Sequence, residues 1–127
     1  MPYPTFLSAA EGDVRREREA QDDKWGEQNH PDGTGDSHAR LVAEHARVMC
    51  QEAAKDGRTT WKHVMWEEVA EAFAEHDETK LRTELVQVAT VAIAWVEAID
   101  RRKAARNRAN GPCPECDAPY IPTDGTP

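Results

Sequence analysis

The sequence contains few cysteines, few aromatic residues and no long apolar run. Its 127 residues include three cysteines, and aromatic residues make up 6% of the chain. Two of the cysteines share one C-terminal motif, so a disulfide framework is not expected. No segment approaches the roughly 18 consecutive apolar residues of a membrane-spanning helix. The N-terminus lacks the basic and apolar regions of a secretory signal. We therefore expect a protein of the reducing cytoplasm that has no membrane segment.

Net positive charge is also absent. Sixteen Lys and Arg residues stand against 24 Asp and Glu residues, which gives a net charge of −8. Nonspecific binding to nucleic acid depends on Lys and Arg side chains that neutralise phosphates, so polymeric nucleic acid is not an expected partner. An acidic protein can still bind a small phosphorylated molecule when a metal ion carries positive charge to it.

The apolar residues recur at intervals of three and four, which predicts an all-α chain with four helices. The predicted helices run from about Ser8 to Lys24, from Asp36 or Ser37 to just before Gly57, from Trp61 to about Glu75, and from near Asp77 to about Arg106. The expected organisation is a helical domain over residues 8–106, followed by a flexible Pro- and Gly-rich tail over residues 107–127.

Each predicted helix except the first has a clear apolar stripe. The thin stripe of the first helix places it on the surface of the bundle. The second helix has Leu41, Val42, His45, Val48 and Met49; the third has Trp61, Val64, Met65, Val69, Ala72 and Phe73; the fourth has Leu81, Leu85, Val88, Ala92, Trp95 and Ile99. Further apolar residues lie off these stripes, at Trp66, Val86, Val91 and Val96, and they favour an oligomer.

Two groups of acids occur at helical spacing on the third and fourth predicted helices. With Trp61 at zero on a helical wheel, Glu68 falls at about 340°, inside the apolar face, and Glu71 falls at about 280° on its shoulder. Glu84 borders the apolar face of the fourth helix, with Gln87 one turn later on its rim. If the two helices pack antiparallel, these four side chains face each other.

Acids at the edge of an apolar face are costly unless a cation binds them. Three carboxylates and one amide oxygen are hard ligands that suit Mg²⁺ or Mn²⁺, so Glu68, Glu71, Glu84 and Gln87 form a candidate metal site. A solvated acidic helix face has the same spacing. Spacing alone leaves both interpretations open.

The motif Glu67-Glu68-x-x-Glu71, followed by an acidic helix, resembles the EExxE…ExxD signature of MazG-like all-α nucleoside triphosphate pyrophosphohydrolases. The resemblance extends over roughly residues 14–103. The pattern is similar to that of the small MazG-like proteins of actinobacteria and their phages. Its other segments are Trp25–Pro31, Trp61–Val64, Glu84–Ala89 and Ala94–Asp100.

The resemblance implies a four-helix bundle that forms a homodimer or a homotetramer, binds Mg²⁺ and cleaves a nucleoside triphosphate to the monophosphate and pyrophosphate. Glu68, Glu71 and Glu84 match metal ligands of the family, whereas Gln87 replaces an Asp. The lost charge should weaken Mg²⁺ binding, although an amide oxygen can still coordinate. Glu67 or Glu71 could orient or deprotonate the attacking water. The main alternative is a non-catalytic bundle that binds a nucleotide or a protein.

The segment after the first helix offers groups for nucleotide recognition. Trp25 could stack on a base, while Gln28, Asn29 or His30 could read its edge. Lys62, shortly before the acids, could contact a phosphate. The alternatives are an ordered turn in which Trp25 seals the core and a solvated Lys62.

The tail contains Cys113 and Cys116 at the spacing of half a zinc site. A full zinc site needs two more ligands, which the second tail of a dimer could supply, so a reducible dithiol is the expected state and zinc is the alternative. A regulatory dimer that acts through this motif is the third interpretation.

Overall fold

A computed structural model describes residues 7–110 and contains four helices in this range. They are α1 (Ala9–Trp25), α2 (Ser37–Lys55), α3 (Trp61–Ala74) and α4 (Glu78–Ala109). The all-α prediction is confirmed, and the described residues include no strand. None of these helices combines the length and the apolar character needed to cross a membrane. Predictions about Cys113, Cys116 and the rest of residues 111–127 lie outside the described residues.

Side-chain caps start all four helices. Ser8 and Glu11 form a capping box at α1, and Asp36 accepts a hydrogen bond from the backbone N–H of Ala39 at 2.7 Å. Thr60 and Asp77 cap α3 and α4 in the same way. These oxygens satisfy backbone donors that have no partner within the helix, which explains why the predicted starts were accurate.

The end of α4 differs from the prediction. The helix continues to Ala109, three residues beyond the predicted end at about Arg106. None of Asn107, Arg108 and Ala109 is a helix-breaking residue. The Asn110 side chain donates to the Arg106 carbonyl at 3.1 Å. The helix therefore ends shortly before Gly111 and Pro112.

Alanine forms most of the core, contrary to the stripes predicted for α2 and α3. The buried apolar residues are Ala10, Ala43, Ala46, Ala53, Ala70, Ala72 and Leu81. The prediction was wrong for Leu41 and Phe73, which are 71% and 57% exposed. It was also wrong for three less exposed members of the stripes, Val48, Met49 and, on α4, Leu85. Small side chains let two helix backbones approach closely, so α2 turns its alanine face rather than its larger apolar face towards α3.

The helix α3 lies between α2 and α4 and is antiparallel to both. Trp61 at the start of α3 stacks on Trp95 in the middle of α4, with ring centroids 6.3 Å apart. The surface position predicted for α1 is confirmed, because α1 contacts α4 and no other helix in the described range. The chain thus forms a layer of three helices with α1 attached to one edge.

The connection between α1 and α2 is fixed to the end of α3. The Gly35 N–H donates to the Phe73 carbonyl at 2.9 Å, and the Thr34 hydroxyl donates to the Glu75 carbonyl at 2.6 Å. Gly35 has φ +90°, and a Cβ atom there would lie 2.4 Å from the His76 Cβ. Only glycine fits this conformation and this approach, and the contact sets the start of α2 beside the end of α3.

Candidate metal centre

Three glutamates from α3 and α4 converge at the interface of these helices. Glu68, Glu71 and Glu84 each offer a carboxylate oxygen, and these oxygens lie within 4.8 Å of one another. Glu68 and Glu71 are one turn apart on α3, so both point towards the same part of α4. All three side chains are half-buried.

Two of these carboxylates hold an oxygen that has no hydrogen-bond partner. The Oε2 atoms of Glu68 and Glu84 are buried from solvent and accept no hydrogen bond. A buried acceptor without a partner typically costs about 1–3 kcal/mol, and more when it is charged. A divalent cation between the helices would satisfy both oxygens, so the donor set fits Mg²⁺ or Mn²⁺.

The acids raise one another's proton affinity. Desolvation raises the pKa of Glu68 above its usual 4.5, and the charges of Glu84 and Glu67 raise it further. Desolvation also raises the pKa of Glu71, with added repulsion from Glu67, Glu68 and Glu84. The site therefore has an excess of negative charge, and none of the side chains predicted to bind the metal is a cation.

Glu67 lies on the side of this cluster that faces α2. A hydrogen bond between the Cys50 thiol and Glu67 is the largest cause that raises the pKa of Cys50, to about 11. Burial and the charges of the neighbouring glutamates act in the same direction. A thiol with this pKa stays protonated at neutral pH and can donate to the Glu67 carboxylate.

Arg47 on α2 is also close enough to influence the site. Its charge lowers the pKa of Glu71, against the effect of the surrounding acids. Its guanidinium forms an ion pair with Glu44 at 2.6 Å on the same helix. Sequence analysis missed both Arg47 and Cys50. The signal that could have found them is the alanine face of α2, because Ala43, Ala46 and Cys50 occur at helical spacing.

Gln87 lies one turn after Glu84 on α4, and its side chain is exposed. Its position on the same side of the helix as Glu84 follows from the spacing of three residues. Its part in metal binding remains a prediction.

The residues predicted to recognise a base have local partners. Trp25 is 63% exposed, so the alternative in which it seals the core is wrong. The Lys24 ammonium lies 4.8 Å from the centre of its ring. His30 is paired with Gln28 at 3.1 Å, and Asn29 donates to Glu27 at 3.0 Å.

Lys62 occupies another face of α3. It borders an open, mostly apolar groove of about 490 Å³ together with Met65, Trp66, Val69 and Trp95. Lys62 lies six positions before Glu68, which corresponds to a rotation of about 240° around the helix. The structure therefore does not bring Lys62 onto the helix face that carries Glu68.

Comparison with known proteins gives no relative. No family model, no curated protein and no solved structure matches this chain.

Proposed function

We propose that this protein is a Mg²⁺-dependent nucleoside triphosphate pyrophosphohydrolase of the MazG-like type. The observation that carries the proposal is the convergence of Glu68, Glu71 and Glu84, with two buried oxygens that have no partner. No ion pair in the described range involves these three glutamates, and Arg47, whose charge acts on Glu71, is paired with Glu44 instead. Carboxylates that converge without an ion-pair partner favour a site built to bind a cation.

In this proposal Glu68, Glu71 and Glu84 hold the metal ion. When bound, Mg²⁺ (or Mn²⁺) supplies positive charge to the phosphate oxygens and makes water more acidic. Glu67 or Glu71 accepts the proton of the attacking water. The water oxygen bonds to phosphorus and pyrophosphate leaves, so the products are the nucleoside monophosphate and pyrophosphate.

The nucleotide would be held by groups outside the acidic cluster. The exposed ring of Trp25 is available for stacking on a base, with Gln28, Asn29 and His30 as candidates for its edge. Lys62 is a weaker candidate for a phosphate, since it lies on another face of α3.

A test of the activity is pyrophosphate release from each of the eight standard nucleoside triphosphates in the presence of Mg²⁺. We expect turnover with at least one of them and a loss of at least about 100-fold in Glu68→Ala, because a ligand is removed. Helical circular dichroism should be unchanged in this variant. Glu52→Ala, which changes an exposed acid of α2, is the matched control and should keep full activity.

Two results would contradict the proposal. Wild-type turnover in Glu68→Ala would exclude the assigned ligand set. Nucleotide binding without pyrophosphate release by the wild type would instead support the non-catalytic bundle, in which Gln87 marks lost chemistry.

We further propose that the active form is a homo-oligomer. Large apolar side chains are exposed on several helices of the single chain, and those at least 49% exposed are Trp25, Leu41, Phe73, Leu85 and Val86. No large side chain is fully buried in the described range. Extended exposed apolar surface marks an interaction site, and a second copy would cover the stripe of α2 that faces away from α3.

The oligomer is tested by sedimentation equilibrium over a range of concentrations. We expect a mass of at least two chains of 14.2 kDa. Leu41→Glu should shift the equilibrium towards the monomer, because a charge cannot be buried in an apolar interface without a partner. A wild-type protein that is monomeric at all concentrations would contradict this proposal.

A further inference from the structure

The proposed site and its substrate carry more negative charge than one Mg²⁺ ion balances. Glu67, Glu68, Glu71 and Glu84 surround the site, and their charges already repel one another. A triphosphate adds further negative charge, more than one Mg²⁺ ion neutralises. A fixed positive side chain at the border of the site would reduce this repulsion.

The packing of α2 on α3 identifies the position of such a side chain. At one end of the interface the Gly35 N–H bonds to the Phe73 carbonyl, and further along Ala46 packs with Ala70. Still further along, Cys50 contacts Glu67. These contacts move towards the end of α2 as they move towards the start of α3, so the two helices are antiparallel, and from Ala46–Ala70 to Cys50–Glu67 the contact advances by about one turn on each helix. Arg47 precedes Cys50 by one turn and consequently lies near Glu71, which follows Glu67 by one turn.

The electrostatics agree with this register. Arg47 acts on Glu71 in the direction opposite to the glutamates. Its side chain is 42% exposed, so it can still reach a ligand from the bulk solvent. Its present partner, Glu44, is 65% exposed and lies on the same helix. An exposed pair of this kind contributes little, typically less than about 1 kcal/mol, so Arg47 can exchange it for a better acceptor.

We propose that Arg47 binds the phosphates of the nucleotide at the acidic site and leaves Glu44 when it does so. This inference rests on the proposed function. The guanidinium offers two parallel N–H groups to two phosphate oxygens, which an ammonium group cannot do. The site then combines acids that hold a metal ion with one arginine that holds the phosphate chain.

The test separates binding of the metal from binding of the phosphates. Mg²⁺ alone and inorganic tripolyphosphate with Mg²⁺ are titrated calorimetrically into wild type and Arg47→Gln. We expect Arg47→Gln to weaken tripolyphosphate binding by about ten-fold or more, since a charged hydrogen bond is lost. The same variant should bind Mg²⁺ slightly more tightly, because a repelling positive charge is removed. A variant with damaged structure would lose both.

Three further variants sharpen the test. Arg58→Gln is the matched control, because Arg58 also pairs with an acid, Asp56, at 3.0 Å and is exposed. It should bind both ligands like the wild type. Arg47→Lys should recover part of the lost affinity, since it keeps the charge without the paired N–H groups. Glu44→Gln should strengthen tripolyphosphate binding, because it frees Arg47.

The outcomes distinguish the two proposals. If the wild type releases pyrophosphate from a nucleotide but Arg47→Gln binds tripolyphosphate as tightly as the wild type, the role of Arg47 is overturned and the hydrolase remains. If the wild type binds no tripolyphosphate with Mg²⁺ and hydrolyses no nucleotide, both are overturned.

Discussion

The two sides of α3 differ in composition and in their effect on the stability of the fold. Towards α2, Ala46 and Ala70 pack with 0% and 3% exposure and leave no polar atom without a partner. Towards α4, Glu68 and Glu84 each keep a buried oxygen that accepts no hydrogen bond. The first interface stabilises the fold, and the second keeps an unfavourable arrangement that a ligand can relieve.

Helix geometry makes this division possible within a short segment. Glu68 and Ala70 are two residues apart, which rotates them by about 200° around the helix axis. One residue can therefore face α4 and the other α2. A close, dry contact on one side holds α3 rigidly, and a rigid helix keeps the carboxylates together despite their repulsion.

The largest loss of stability is expected from a substitution that overfills the alanine interface between α2 and α3. Ala46→Leu adds three carbon atoms where the side chain is 0% exposed, so α2 and α3 must move apart. We expect the free energy of unfolding to fall by about 1–3 kcal/mol, measured by urea denaturation. Pyrophosphate release should fall with it, because Glu71 lies on the helix that moves.

The control for this prediction is the same substitution on the same helix. Ala54 is exposed, so Ala54→Leu should change the free energy of unfolding by no more than about 0.5 kcal/mol. Equal stability of Ala46→Leu and Ala54→Leu would show that the α2–α3 interface has spare room, contrary to the alanine packing.

The helices could be predicted from sequence because their signals are local. Caps such as Asp36 and Thr60 act within one turn, and apolar spacing reports the helix period directly. The convergence of Glu68, Glu71 and Glu84 was also within reach, since two antiparallel helices joined by a short turn have few possible registers. These predictions need no knowledge of distant contacts.

The remaining features depend on which face of a helix finds a partner. The α2 stripe at Leu41 has the stronger apolar signal, yet α2 packs through alanines, because small residues permit the closest approach. Arg47 and Cys50 join the site only through the register of α2 on α3. The alanine spacing indicates which face of α2 packs, but a single helix carries no information on its register along α3, so the partners of Arg47 and Cys50 could not be predicted.

On the acidic side of α3 we expect a smaller change in the free energy of unfolding, less than about 1 kcal/mol, because solvent screens half-buried charges. The folded protein raises the pKa of Glu68 and Glu71 above the usual 4.5. It therefore binds protons more strongly than the unfolded chain does, and the stability of the metal-free protein should fall as the pH rises above about 4.5. Glu68→Gln should reduce this fall, so that the variant exceeds the wild type in stability at neutral pH and approaches it near pH 4.

Mg²⁺ should reverse the order of stability of the wild type and Glu68→Gln. Added at neutral pH, it should raise the melting temperature of the wild type, because binding to the folded state alone stabilises it, and it should leave Glu68→Gln nearly unchanged. Glu52→Gln, at an exposed position on α2, should follow the wild type in both measurements. Parallel stability curves for wild type and Glu68→Gln in chelator would mean that the repulsion around Glu68 is already relieved by solvent. The α4 side of α3 would then be an ordinary acidic surface, and the contrast with the α2 side would lose its functional meaning.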